Sequence, residues 1–171
     1  MKRALYCSLV AHDCCVSLEV TEPRRVALWP TLLDPEFTRA RDAKVAERQG
    51  KLVASTMPAL DAITRKRYGI TEEGARRSLV QIHAVMRFIE HALDGRDHLV
   101  GDQFTVADLT AAGLLGPLLG PPQLPYRNPD SRLAKGLAEI ADELRALPAG
   151  QWVMSTYERY RPPSAEIGAE A

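Results

Sequence analysis

The sequence predicts an all-α bundle of five to seven helices, on three observations. Several segments place apolar residues at helical spacing. Runs that alternate apolar and polar residues with β-branched enrichment, the mark of strands, do not occur. Starts and stops of the helical segments coincide with capping residues and prolines. The 171 residues suit one domain of ordinary size, with 46% hydrophobic and 26% charged residues, a balance of folded rather than disordered chains.

The elements follow in order. Leu5, Leu9 and Val16, with Tyr6 beside them, share one face of an opening helix. A second helix starts near Pro23, carries Val26, Leu28 and Trp29, and is expected to stop or bend near Pro30. Asp34-Pro35-Glu36 supplies a cap, a first-turn proline and an acid for the next helix. That helix runs toward Tyr68 and Gly69, with a kink or break expected at Pro58. Thr71-Glu72-Glu73 opens a helix whose stripe is Ile82, Val85, Met86, Ile89 and Leu93 and which ends at Asp94-Gly95. Four prolines between 120 and 129 make a loop. Asp130 or Ser131 starts a helix with Leu133, Leu137, Ile140, Ala141 and Leu144 inward. Pro148 begins the last helix, which halts at Pro162-Pro163. The domain therefore spans 1–161, and 162–171 reads as a disordered tail.

Lys plus Arg and Asp plus Glu number 22 each, which argues against a nucleic-acid binder. Residues 1–70 hold 12 basic and 8 acidic side chains, too small a surplus to imply a polyanionic partner. Arg65-Lys66-Arg67 complements a helix C-terminus, with an anion site as the rival reading. Cys7, Cys14 and Cys15 make no disulfide framework and read as buried free thiols of a reducing compartment. With His12 they form no recognisable metal pattern. His83, His91 and His98 sit in no zinc or nucleophile motif and read as surface or half-buried. Pro122-Gln123-Leu124-Pro125 reads as an interhelical loop. No apolar run reaches membrane-spanning length and no signal peptide opens the chain, so a cytoplasmic location is expected.

The most informative stretch is Leu99 to Leu109. Thr105 is a good N-cap, and Asp108 stands where its carboxylate reaches back to the Thr105 amide, forming a capping box. Phe104 and Leu109 have the spacing of a hydrophobic staple. The helix they begin carries Val106, Leu109, Leu114 and Leu115 with little polar surface, and is expected to be the buried centre of the domain. A cap contributes about 0.5–2 kcal/mol, which suits a structural role for Thr105 and Asp108 better than a catalytic one.

This stretch resembles the N-capping box and staple in the C-terminal domain of bacterial glutathione S-transferases. Ile70-Thr71-Glu72-Glu73-Gly74-Ala75 and Leu147-Pro148-Ala149-Gly150-Gln151-Trp152-Val153, leading into Tyr157-Glu158-Arg159-Tyr160-Arg161, are similar to flanking segments of the family. Arg3-Ala4-Leu5-Tyr6 resembles the domain's first helix. The resemblance implies a glutathione-binding thioredoxin-like domain ahead of this one, carrying the thiol-activating residue; no βαβ pattern is present. The expectation is therefore a chain with no catalytic, cofactor-binding or metal-binding residue of its own. It would be inactive alone, with glutathione as co-substrate only when the other domain is supplied. Tyr6, Leu9 and Trp29 are candidates for a remnant hydrophobic pocket. The expected partners are a thioredoxin-like domain, a second copy in a homodimer, or a small hydrophobic ligand. A non-catalytic assembly module and a carrier of small hydrophobic molecules are the alternatives.

Overall fold

The computed structural model describes residues 21–124 and 134–161. All the regular structure among them is helical: α1 (Thr21–Leu33), α2 (Pro35–Gln49), α3 (Lys51–Ala54), α4 (Met57–Tyr68), α5 (Glu72–Leu93), α6 (Val106–Leu119), α7 (Lys135–Ala146) and α8 (Pro148–Tyr160). With α3 a single turn, the described residues form an all-α bundle of seven longer helices. The opening helix, the cysteines, His12, the prolines from 125 to 129, the start at Asp130 or Ser131, Leu133 and the tail lie outside the described residues.

Local chemistry sets most of the boundaries. The Asp34 carboxylate accepts from the amides of Glu36 and Phe37, both at 3.0 Å, and caps α2. The Thr71 hydroxyl accepts from the Gly74 amide at 3.0 Å and caps α5. Gly69 ends α4 in the left-handed region, and Asp94 ends α5 there at φ 41°. Pro58 sits in the first turn of α4, so the break expected there is present. A second break falls at Gly50, whose φ of 94° closes α2 before α3 begins.

At Pro30, where a stop or a bend is expected, the stop is absent. The helix does not stop at it but runs on to Leu33, with Pro30 inside. Burial of Val26 and Leu32 on either side holds α1 against the body of the bundle. Pro30 also packs close to Gly136 of α7, where a β-carbon would lie 3.0 Å from the proline ring. Tertiary packing here outweighs the lost backbone hydrogen bond.

The core gathers Val26 of α1, Ile82, Val85, Met86, Ile89 and Leu93 of α5, Leu115, Leu118 and Leu119 of α6, Leu137 and Leu144 of α7, and Val153 and Tyr157 of α8. The whole expected stripe of α5 is inside. Two glycines permit the closest approaches. A β-carbon on Gly150 would strike the Leu144 carbonyl where α7 turns into α8, and one on Gly116 would lie 2.7 Å from Cζ of Tyr157. By contrast α2, α3 and α4 bury no residue at all.

Candidate functional site

The segment from Asp94 to Thr105 joins α5 to α6 and crosses the end of α8. It is organised around the Asp108 carboxylate, which has no exposed surface. One oxygen accepts from the Leu99 amide at 2.8 Å. The other accepts from the Thr105 amide and the Thr105 hydroxyl, each at 2.8 Å. Burial pushes this carboxyl toward the neutral form. The Leu99 and Thr105 hydrogen bonds outweigh it and hold the group below its usual range, with nearby His98 adding a smaller electrostatic pull the same way. A carboxylate so engaged is a poor base, and its geometry ties the connecting segment to the first turn of α6.

Around it, aromatic and polar contacts clamp the segment to α8. Phe104 stacks on Tyr160 with centroids 4.1 Å apart. The Tyr160 hydroxyl lies 3.4 Å from Nε2 of His98. Trp152 donates its indole N–H to the Asp97 carbonyl at 2.9 Å, and Arg159 meets the Asp97 carboxylate at 3.3 Å. His98 is thus buried rather than at the surface or half-buried. Its partner is 62 residues away in sequence, so no local pattern around His98 announces it.

The outward side of α6 differs from expectation. Ala111, Ala112, Leu115, Leu118 and Leu119 face the core, but Val106 is 73% and Leu109 59% exposed. With Gly113 and Pro117, also exposed, they form an apolar stripe at steps of three and four. Leu109, the expected staple partner, therefore faces out, and the ring of Phe104 stacks on Tyr160. The reason is angular: with Asp108 pointing inward, the next residue turns about 100° away from it on a 3.6-residue helix. A helix apolar on all sides gives no sequence signal of which side is buried.

Of the three residues expected to line a pocket, Trp29 is half-buried on α1, and Tyr6 and Leu9 fall outside the described residues. Among the described residues no three His, Cys, Asp or Glu side chains gather as a metal site would require. His83 faces Glu143 at 3.5 Å, and His91 is exposed. No helix there is long and apolar enough to cross a membrane.

The family model described as glutathione S-transferase, C-terminal domain, matches residues 27–124, more than half of the chain. The chain belongs to this family. The match runs from within α1 through the whole of α6, so the Asp108 centre of this glutathione S-transferase domain lies inside it, while α7 and α8 lie beyond it. No curated protein and no solved structure matched the chain.

Proposed function

We propose that this domain is the helical, non-catalytic half of a glutathione transferase architecture. It offers an apolar surface to an electrophilic co-substrate and to a thioredoxin-like domain that binds glutathione and makes the thiolate. The observation that carries this reading is the exposed apolar stripe of α6, Val106, Leu109, Gly113 and Pro117, beside a segment whose buried carboxylate is committed to structural hydrogen bonds. Solvent-facing apolar rows on a helix suit a covering partner. The role of Thr105 and Asp108 in this reading is to fix the start of α6, not to move protons. In the reaction the thiolate sulfur of glutathione would attack the electrophile's carbon and expel its leaving group, with the thiol proton passing to a base of the other domain.

The test is an assay of the purified chain with glutathione and a chlorinated aromatic electrophile. No turnover above the uncatalysed rate is expected, and appearance of turnover when a thioredoxin-like transferase domain is added. Robust turnover by the chain alone would overturn the reading.

The arm of α2, α3 and α4 favours a second reading, a protein-assembly module. Leu52 at its turn is 83% exposed, and Leu60 and Ile63 of α4 are exposed as well. Co-purification of a protein bound to the arm supports assembly, and co-purification of a small apolar molecule supports a carrier instead.

A further inference from the structure

The chain is neutral overall, but its cations are not spread evenly in space. Three short segments contribute charge to one corner of the fold: the first turn of α1, the last turn of α4 and the first two turns of α5. They carry Arg24, Arg25, Arg65, Lys66, Arg67, Arg76 and Arg77 against Glu22, Glu72 and Glu73. Seven cations face three carboxylates in a protein whose formal net charge is +0. The carboxylates are already engaged. Glu72 and Glu73 pair with Arg76 and Arg77 at 3.5 and 3.4 Å along α5, and Glu22 has a partner of its own.

Contacts place four of these cations between α1 and α4. Arg25 donates to the Tyr68 carbonyl at 2.8 Å, and Arg65 to the Leu32 carbonyl at 2.6 Å. Both neutralise carbonyl dipoles at helix ends while keeping their full charge. Arg24 donates to the Tyr68 hydroxyl at 3.1 Å, with its guanidinium 5.1 Å from the ring centroid. Arg67 lies over the same ring at 6.0 Å. Two guanidinium groups are thus held over one aromatic ring. Arg24 and Arg67 are both exposed, and among the described residues neither is in an ion pair.

A bare helix end does not need this. The last turn of α4 carries about half a negative charge, and one cation satisfies it. The other cations repel one another, a cost that a bound anion removes. Arg presents a planar fork of N–H donors that matches phosphate oxygens, and Arg67 and most of Arg24 keep theirs toward solvent. We propose that the corner formed by Arg24 and Arg67 around Tyr68 is a binding site for a phosphate group, carried on a soluble phosphate ester or on a lipid headgroup. The site shares no residue with the apolar stripe of α6, so it stands whether or not the transferase reading holds.

Inorganic pyrophosphate is the probe, followed by amide chemical shifts of the full chain at low salt. Saturable shifts centred on residues 24, 25 and 65–69 are expected, weakening as ionic strength rises. The double variant R24Q/R67Q is expected to weaken binding by about tenfold, since it removes two solvent-screened charged contacts. Unchanged affinity in R24Q/R67Q, shifts spread over basic residues throughout the chain, or no saturation would each overturn the site. Should R24Q/R67Q melt earlier than the parent chain, the single variant R67Q takes its place; a threefold or larger loss upholds the site and no loss overturns it. Sedimentation with phosphatidylcholine vesicles, with and without phosphatidic acid, distinguishes the two sources. Binding only to the phosphatidic acid vesicles that is lost in R24Q/R67Q assigns the headgroup. Pyrophosphate binding without vesicle binding assigns a soluble ester.

Discussion

The body of the molecule and its α2–α4 arm are built from similar helices by different forces. In α5, α6 and α8, apolar side chains with no exposed surface interlock, and even a carboxylate is carried inside. From Pro35 to Tyr68 no residue is buried. Phe37 of α2 packs half-buried against the core, and the rest of the arm is held by directional contacts. Arg41 of α2 makes two parallel hydrogen bonds to Asp61 of α4, at 2.9 and 2.8 Å, and also meets Asp42. At its root, Arg65 and Arg25 fasten α4 to α1. Fold stability thus lives in the body, and the arm's geometry rests on a few polar links that solvent weakens.

The strongest way to break this contrast is to attack the polar group inside the body. Asp108→Ala leaves the Leu99 and Thr105 amides and the Thr105 hydroxyl without their acceptor, and is expected to cost about 4 kcal/mol in chemical denaturation. The pH dependence has a definite sign. The folded-state carboxyl is held below its ordinary value, so its stabilisation is complete above the unfolded pKa, about 4. It is lost as pH falls through the folded-state value. The gap between wild type and Asp108→Ala should therefore shrink in acid below about pH 4. A gap constant down to pH 2 would mean the carboxylate is not the stabilising form.

A smaller effect is expected in the arm. A double-mutant cycle on Arg41 and Asp61 should return about 1 kcal/mol of coupling, the upper end for partly exposed pairs, because the contact is bidentate. Asp61 raises the Arg41 guanidinium's affinity for its proton, with Asp42 adding to it, consistent with a cation held by two carboxylates. The same cycle followed by hydrogen exchange should raise local exchange in α2 and α4 and leave α5 protected. Equal loss of protection in α5 would show that arm and body unfold as one unit.

Legibility in the sequence does not divide along the same line. The stripe on α5 and the caps at Asp34 and Thr71 follow from local spacing and side-chain chemistry, and each falls where the residues place it. Reading failed where a distant partner decides. Pro30 stays inside α1 because α7 meets it at Gly136. His98 and Phe104 are placed by Tyr160, some sixty residues on. The outward turn of Val106 and Leu109 was hidden because α6 is apolar on every side. The basic corner was hidden for a related reason: α1, α4 and α5 each contribute ordinary charges, and only folding sums them.

The smallest expected effect is the most discriminating for the arm. Leu52→Ser combined with Ile63→Ser removes two large apolar groups from positions 83% and 60% exposed. Side chains already in water give up little on replacement, so stability of the isolated chain should change by less than about 0.5 kcal/mol. A core leucine truncated in α5 or α6 would cost several times that, because burial and a cavity both count. If the double serine variant instead destabilises the chain in a concentration-dependent way, the arm is covered in solution, and the contrast with the body narrows to a question of which molecule does the covering. If stability holds at every concentration, the arm's apolar turn is free for a partner that is not this chain.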